Sequence, residues 1–162
     1  MSQPRIIIGI DPGYARCGFG VIREAGRDWE VLGHGVMTTT PESEHGDRLA
    51  EIAKDFAGLL KQYQPQELVI EELFFAKSTT TALKVAEVRG VIIMKAKEAG
   101  LKVTEVKPNE VKLALTGFGK ADKKQIQQMV KTIYRLEQIP KPDDAADALA
   151  IAWTGASKLE IK

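Results

Sequence analysis

RIIIGIDPG, residues 5 to 13, decides how the rest of the chain is read. Ile6, Ile7, Ile8 and Ile10 form an apolar run between Pro4 and the Pro12-Gly13 turn. It is too short for a stable helix and rich in β-branched residues, so it predicts a buried strand. The strand ends on the carboxylate of Asp11, a charge that is costly beside a core unless something neutralises it. Downstream, GFGVIRE (18 to 24) and WEVLGHGVMTT (29 to 39) follow with alternating patterning and short links. Three such segments in succession predict an antiparallel meander.

Beyond the loop TTPESEHG the pattern changes period. DRLAEIAKDFAGLLKQY places Leu49, Ile52, Phe56, Leu59, Leu60 and Tyr63 at helical spacing, and Pro65 stops it. ELVIEE (67 to 72) is a second short apolar run, TTTALKVAEVRGVIIMKAKEAG a helix closed by Gly100, and KVTEV a strand. A short helix is expected from Pro108 to Leu115, a basic amphipathic one from Ala121 to Leu136, and a last one from Asp143 to about Lys158. Strands first, then alternating helix and strand, describe an α/β fold with a mixed sheet covered by helices.

The chain has 162 residues, 44% hydrophobic and 28% charged, which suits one domain. No apolar run approaches the ~20 residues of a membrane span and the first residues have no signal-peptide pattern, so a cytoplasmic protein without a membrane partner is expected. With one cysteine, Cys17, and two histidines, His34 and His45, any metal has to be held by oxygen. Net charge is +1, but residues 102 to 135 carry eight Lys/Arg against three Asp/Glu, a net +5 that leaves −4 for the remainder. Lys112, Lys120, Lys123 and Lys124 lie in that segment, which suggests a face for phosphates.

Both apolar runs end in acid: Asp11 closes the first, Glu71 and Glu72 the second. In neighbouring strands they would converge at the end of the sheet where open α/β folds place ligands. In PDDAADALAIAW, Asp144 and Asp147 are three apart and share a helix face, with Asp143 adjacent. Asp before Pro-Gly is also a common turn residue, and Asp143 or Asp144 could cap a helix. Asp147, set among alanines on an apolar helix, has no such role. A cluster of these acids is tolerable with a divalent cation, and oxygen ligands favour Mg²⁺ or Mn²⁺. Two ions roughly 3.5–4 Å apart can activate water and stabilise the leaving oxygen in phosphodiester hydrolysis. An acidic centre with a basic segment reads as a metal-dependent nuclease.

GIDPG followed by GFGVI, then VIEELFFAKSTTTALKVAEVRG, then DAADALAIA, in this order and spacing, resemble the Holliday-junction resolvases of the RuvC type over residues 5 to 155. The resemblance implies a single ribonuclease H-like nuclease domain, a homodimer, branch-migration motor partners, and Mg²⁺-dependent paired nicking of four-way DNA junctions in recombination and repair. It maps the metal-binding acids onto Asp11, Glu71, Asp144 and Asp147, leaving Glu72 and Asp143 as neighbours. It places basic active-site residues at Lys112 and Lys123 and a ring that inserts at the junction crossover at Phe74. Lys77, Lys84 and Arg89 are then expected along the DNA backbone.

The helix over residues 79 to 99 is apolar around most of its circumference, from Leu83 to Met94 and Ala96. It is either central and buried or meets a second subunit, with Gly90 allowing close approach. Competing functions are a nuclease of the same fold acting on RNA or an RNA–DNA hybrid, one lobe of an actin-like or sugar-kinase ATPase, and an inert DNA-binding module. The ATPases need two related lobes where this length supplies one. The four acids argue against an inert module.

Overall fold

The computed structural model describes residues 2–73 and 79–159. Its element order is β1 (Ile6–Asp11), β2 (Arg16–Ala25), β3 (Asp28–Thr38), α1 (His45–Tyr63), β4 (Glu67–Glu71), α2 (Thr79–Glu98), β5 (Lys102–Val106), α3 (Pro108–Thr116), α4 (Lys123–Ile133) and α5 (Asp143–Leu159). One sheet runs in the order β3-β2-β1-β4-β5, antiparallel through the meander and parallel from β1 to β4 and β5. β1 is therefore central, which explains its isoleucines: a strand covered on both faces has no polar side.

Alternation along the strands sorts the core into two layers. Ile7, Ile22 and Val69 point to the face covered by α5 with α3 and α4, where Leu149, Ile151 and Val130 meet them. Ile8, Ile10, Val21, Leu68 and Ile70 point to the opposite face, against Ile52 and Phe56 of α1 and Val88 and Ile92 of α2. Asp11 follows Ile7 and Gly9 at period two, and Glu71 follows Val69, so both carboxylates leave the sheet on the α5 side.

α5 lies unusually close to that side. A Cβ on Gly9 would stand 2.3 Å from the Ala148 carbonyl oxygen, and one on Gly18 2.1 Å from that of Asp144. The glycine-rich second strand is thus a seat for the helix, whose Ala145, Ala148 and Ala152 are fully buried.

Several boundaries differ from the sequence reading by one to three residues, α4 ending at Ile133 rather than Leu136 among them, and two have a clear cause. β2 begins at Arg16 rather than residue 18, because the hairpin register pairs Arg16 with Thr38 of β3. α4 begins at Lys123 rather than Ala121, because Asp122 is its N-cap. The Asp122 carboxylate accepts from the Gln125 N–H at 2.8 Å while the Gln125 side chain accepts from the Asp122 N–H at 2.8 Å, a reciprocal capping box. On α2 the buried positions are Ala82, Val88, Ile92 and Ala96, while Leu83 (57% exposed), Met94 (50%) and Gly90 face outward. It is not a helix buried on all sides. Among the described residues no helix is long and apolar enough to cross a membrane.

Candidate active site

β1 and β4 run parallel in the register Ile10↔Ile70, so their next residues, Asp11 and Glu71, stand side by side at the strand ends. The first two turns of α5 cross beside them and bring Asp144 and Asp147 to the same corner. Asp11, Glu71 and Asp147 line one cleft of about 370 Å³ together with Lys112, Asp122 and Lys123. Glu72, one residue past the strand, falls on the other parity, and its N–H donates to the Val106 carbonyl at 2.8 Å. Strand alternation thus separates Glu71 from Glu72.

The electrostatics are those of an acid cluster short of positive charge. Burial raises the Asp11 carboxyl from 3.8 to about 8, with Asp147, Glu71 and Asp144 pushing the same way and Lys123 opposing. Glu71 is raised to about 6 by burial and by Asp147, with Lys112 opposing. Asp147 is also raised by burial, against the pull of Lys123. Lys123 in turn is raised, first by Asp147; its Nζ lies 3.7 Å from the Asp147 carboxylate and 3.6 Å from that of Asp143. Buried like charges disfavour their ionised forms, and cations relieve this.

Asp144 stands at the edge of the cluster. Its Oδ2 lies 3.1 Å from the Arg16 guanidinium, yet that oxygen is buried and accepts no hydrogen bond. The contact is therefore Coulombic and leaves the lone pairs of a buried acceptor unused. Arg16 has no conspicuous sequence signature; only the register that sets Asp11 opposite Gly18 places it here.

This donor set fits a hard divalent cation: every nearby ligand atom is a carboxylate oxygen, the acids raise one another, and Asp144 Oδ2 is an orphaned buried acceptor. The side chains are not gathered into ligating positions. Among the described residues no group of three or more His, Cys, Asp and Glu is arranged to hold an ion, since Arg16 draws on Asp144 and Lys123 on Asp147.

The remaining expected residues divide. Lys120 and Lys124 are exposed near the cleft. Lys84 lies with Nζ 5.0 Å from the Tyr14 ring centre. Arg89, expected along the DNA backbone, has a side chain only 14% exposed. Its Nε donates to the Glu71 carbonyl at 2.9 Å and its Nη2 to Glu105 at 3.0 Å, so the guanidinium is committed to holding the end of β4. Phe74 and Lys77 lie outside the described residues.

Comparison with known proteins agrees with this architecture. Residues 7–155 match the family model of crossover junction endodeoxyribonuclease RuvC. The RuvC of Heliobacterium modesticaldum is 47% identical over 154 residues, covering 95% of each chain. The structure of Thermus thermophilus RuvC in complex with Holliday junction substrate superposes with a TM-score of 0.92 at 34% identity, covering 97% of this chain and 96% of that one. The yeast mitochondrial Holliday junction resolvase Ydc2, at 14% identity over 94% of this chain and 82% of its own, shares the ribonuclease H-like fold with a TM-score of 0.64. A family model spanning nearly the whole chain, and a relative nearly half identical along its length, show that this chain belongs to the RuvC family of crossover junction endodeoxyribonucleases.

Proposed function

We propose that the protein is a divalent-metal-dependent endonuclease that resolves four-way DNA junctions by paired nicks, working as a homodimer. The observation that carries this reading is the meeting of Asp11, Glu71 and Asp147 in one cleft with Lys112 and Lys123, beside an Asp144 oxygen that has no hydrogen bond. Asp11, Glu71, Asp144 and Asp147 would hold Mg²⁺, with Mn²⁺ able to substitute, and two ions are expected per site. When bound, such ions supply an activated water and charge stabilisation for the leaving oxygen.

The chain's own residues account for the rest. Lys112 and Lys123 set positive charge against a phosphate entering the cleft and neutralise charge that develops on it. Arg89 fixes the Glu71 backbone and the seat of α5 fixes the backbone of Asp144 and Asp147, so bringing the acids onto an ion would take movement of their side chains only. The exposed side of α2, with Leu83 and Met94, supports self-association. Phe74 as a ring at the crossover, Lys77 and Lys84 as backbone contacts, and motor partners that deliver the junction belong to the same proposal.

The test is nicking of a synthetic four-way junction, a linear duplex and an RNA–DNA hybrid, each with and without Mg²⁺. Metal-dependent symmetric nicks confined to the junction are expected. Preferential cleavage of the hybrid would replace this reading by that of a ribonuclease of the same fold.

A further inference from the structure

The loop GFGKAD, residues 117 to 122, joins α3 to α4 at the rim of the active cleft. Its backbone is tightly fixed. Gly117 ends α3 in the left-handed region at φ 73°, with its N–H donated to the Leu113 carbonyl at 2.9 Å. The Thr116 hydroxyl donates to the Lys112 carbonyl at 2.7 Å and accepts the Phe118 N–H at 3.1 Å. The Phe118 carbonyl accepts the Ala121 N–H at 3.2 Å. Both peptide groups of Phe118 are thus satisfied within the loop.

Its ring is not drawn into the core. Phe118 is 55% exposed, and Leu113, one turn earlier on α3, is 51% exposed. Beside the ring is a surface depression of about 530 Å³, bounded by Phe118, Lys124 and Met129, which shares Ala121 and Asp122 with the cleft that holds the acids. Lys124 lines it and Lys120 is exposed two residues after Phe118 in the same loop, and neither is in an ion pair among the described residues. An exposed ring on a hydrogen-bonded loop that also carries Lys120, beside Lys124 and next to a phosphate-directed cleft, matches the chemistry that holds single-stranded nucleic acid: cations for the backbone and a flat apolar face for a base.

We propose that Phe118 is a stacking platform for an unpaired base of the DNA strand being cut, one neighbouring the phosphate that enters the cleft, with Lys120 and Lys124 gripping the flanking backbone. The inference rests on the nuclease reading above and adds a contact outside the acid cluster. Phe118 would fix the register of the strand in the cleft and so act as a positioning residue for the scissile bond. Lys120 and Lys124 favour an anionic ligand over an apolar one, and the continuity of the depression with the cleft that holds the acids favours the DNA strand being cut.

The test uses the full-length protein and four-way junctions carrying 2-aminopurine at each nucleotide flanking the nick in turn. Binding is followed by fluorescence in metal-free buffer, and nicking by kcat and KM in Mg²⁺. In the unsubstituted protein one probe position should change its emission on binding. Phe118→Ala should abolish that change and weaken junction binding by roughly 5- to 100-fold. Phe118→Trp should restore both, and Phe118→Leu, which keeps apolar bulk without a π face, should behave like Phe118→Ala. A Phe118→Ala protein that matches the unsubstituted one in probe emission and KM would overturn the inference while leaving the nuclease reading intact. So would a Phe118→Leu protein equal to the unsubstituted one. An unsubstituted protein that neither binds nor nicks the junction would overturn both.

Discussion

At the scale of the residue, Asp11 carries the clearest chemical signature. Its carboxyl is raised from 3.8 to about 8 by burial and by its acidic neighbours. The folded protein therefore holds a proton that the unfolded chain has released, and the linked stability is fully present below pH 4 and lost as pH rises through about 8. Without divalent ions, the thermal midpoint should fall between pH 5 and pH 8.5, and Mg²⁺ should raise it most at the alkaline end. Asp11→Asn should flatten both dependences in differential scanning fluorimetry. In a gel shift the same substitution should leave junction affinity nearly unchanged, because phosphate contacts supply most of it. In a nicking assay it should cost about 10³-fold or more, as expected when one member of a cooperating set is removed. The sequence announces Asp11 through the mismatch between its apolar run and its charge. It is silent on Arg16 and on the bond from Arg89 to the Glu71 carbonyl, because both depend on partners far away in the chain and leave no local periodicity.

At the scale of the element, the seat of α5 on β1 and β2 sets the geometry of the acids. Gly9→Ala would push a methyl group into the Ala148 carbonyl, a backbone atom that cannot turn aside, and overpacking of this kind costs about 1–3 kcal/mol. The substitution should lower the melting temperature and slow nicking together, since it lifts Asp144 and Asp147 from Asp11. Gly58→Ala is the control: this glycine lies in the exposed interior of α1, where an added Cβ meets nothing within 4 Å. It should raise stability by about 0.5–1 kcal/mol without touching activity. The elements themselves are legible because helix and strand periods are local properties of the chain. The choice of Glu71 over Glu72 needs one thing more, the parity of β4 relative to Val69, which becomes visible only once α5 is known to cover that face. The start of α4 differs for a similar reason, since Asp122 reads in the sequence as one charge among many and in the fold is the cap of that helix.

At the scale of the whole molecule, the outward side of α2 and the basic segment make separate predictions. Met94→Glu places a charge in the exposed apolar patch and should convert a dimer to a monomer in analytical ultracentrifugation, with single nicks replacing paired ones on a junction. Replacing Lys120 and Lys124 by alanine should reduce the slope of log affinity against log salt by about 1 for each phosphate no longer neutralised, with little change in the melting temperature. Arg89 connects these two regions. It belongs to the helix that offers a surface for assembly, and its guanidinium clasps the last carbonyl of the strand that delivers Glu71. In the proposed dimer, a tilt of α2 would be conveyed through this clasp as a tug on an acid of the cleft, giving each active centre a lever through which a neighbouring copy would adjust its alignment.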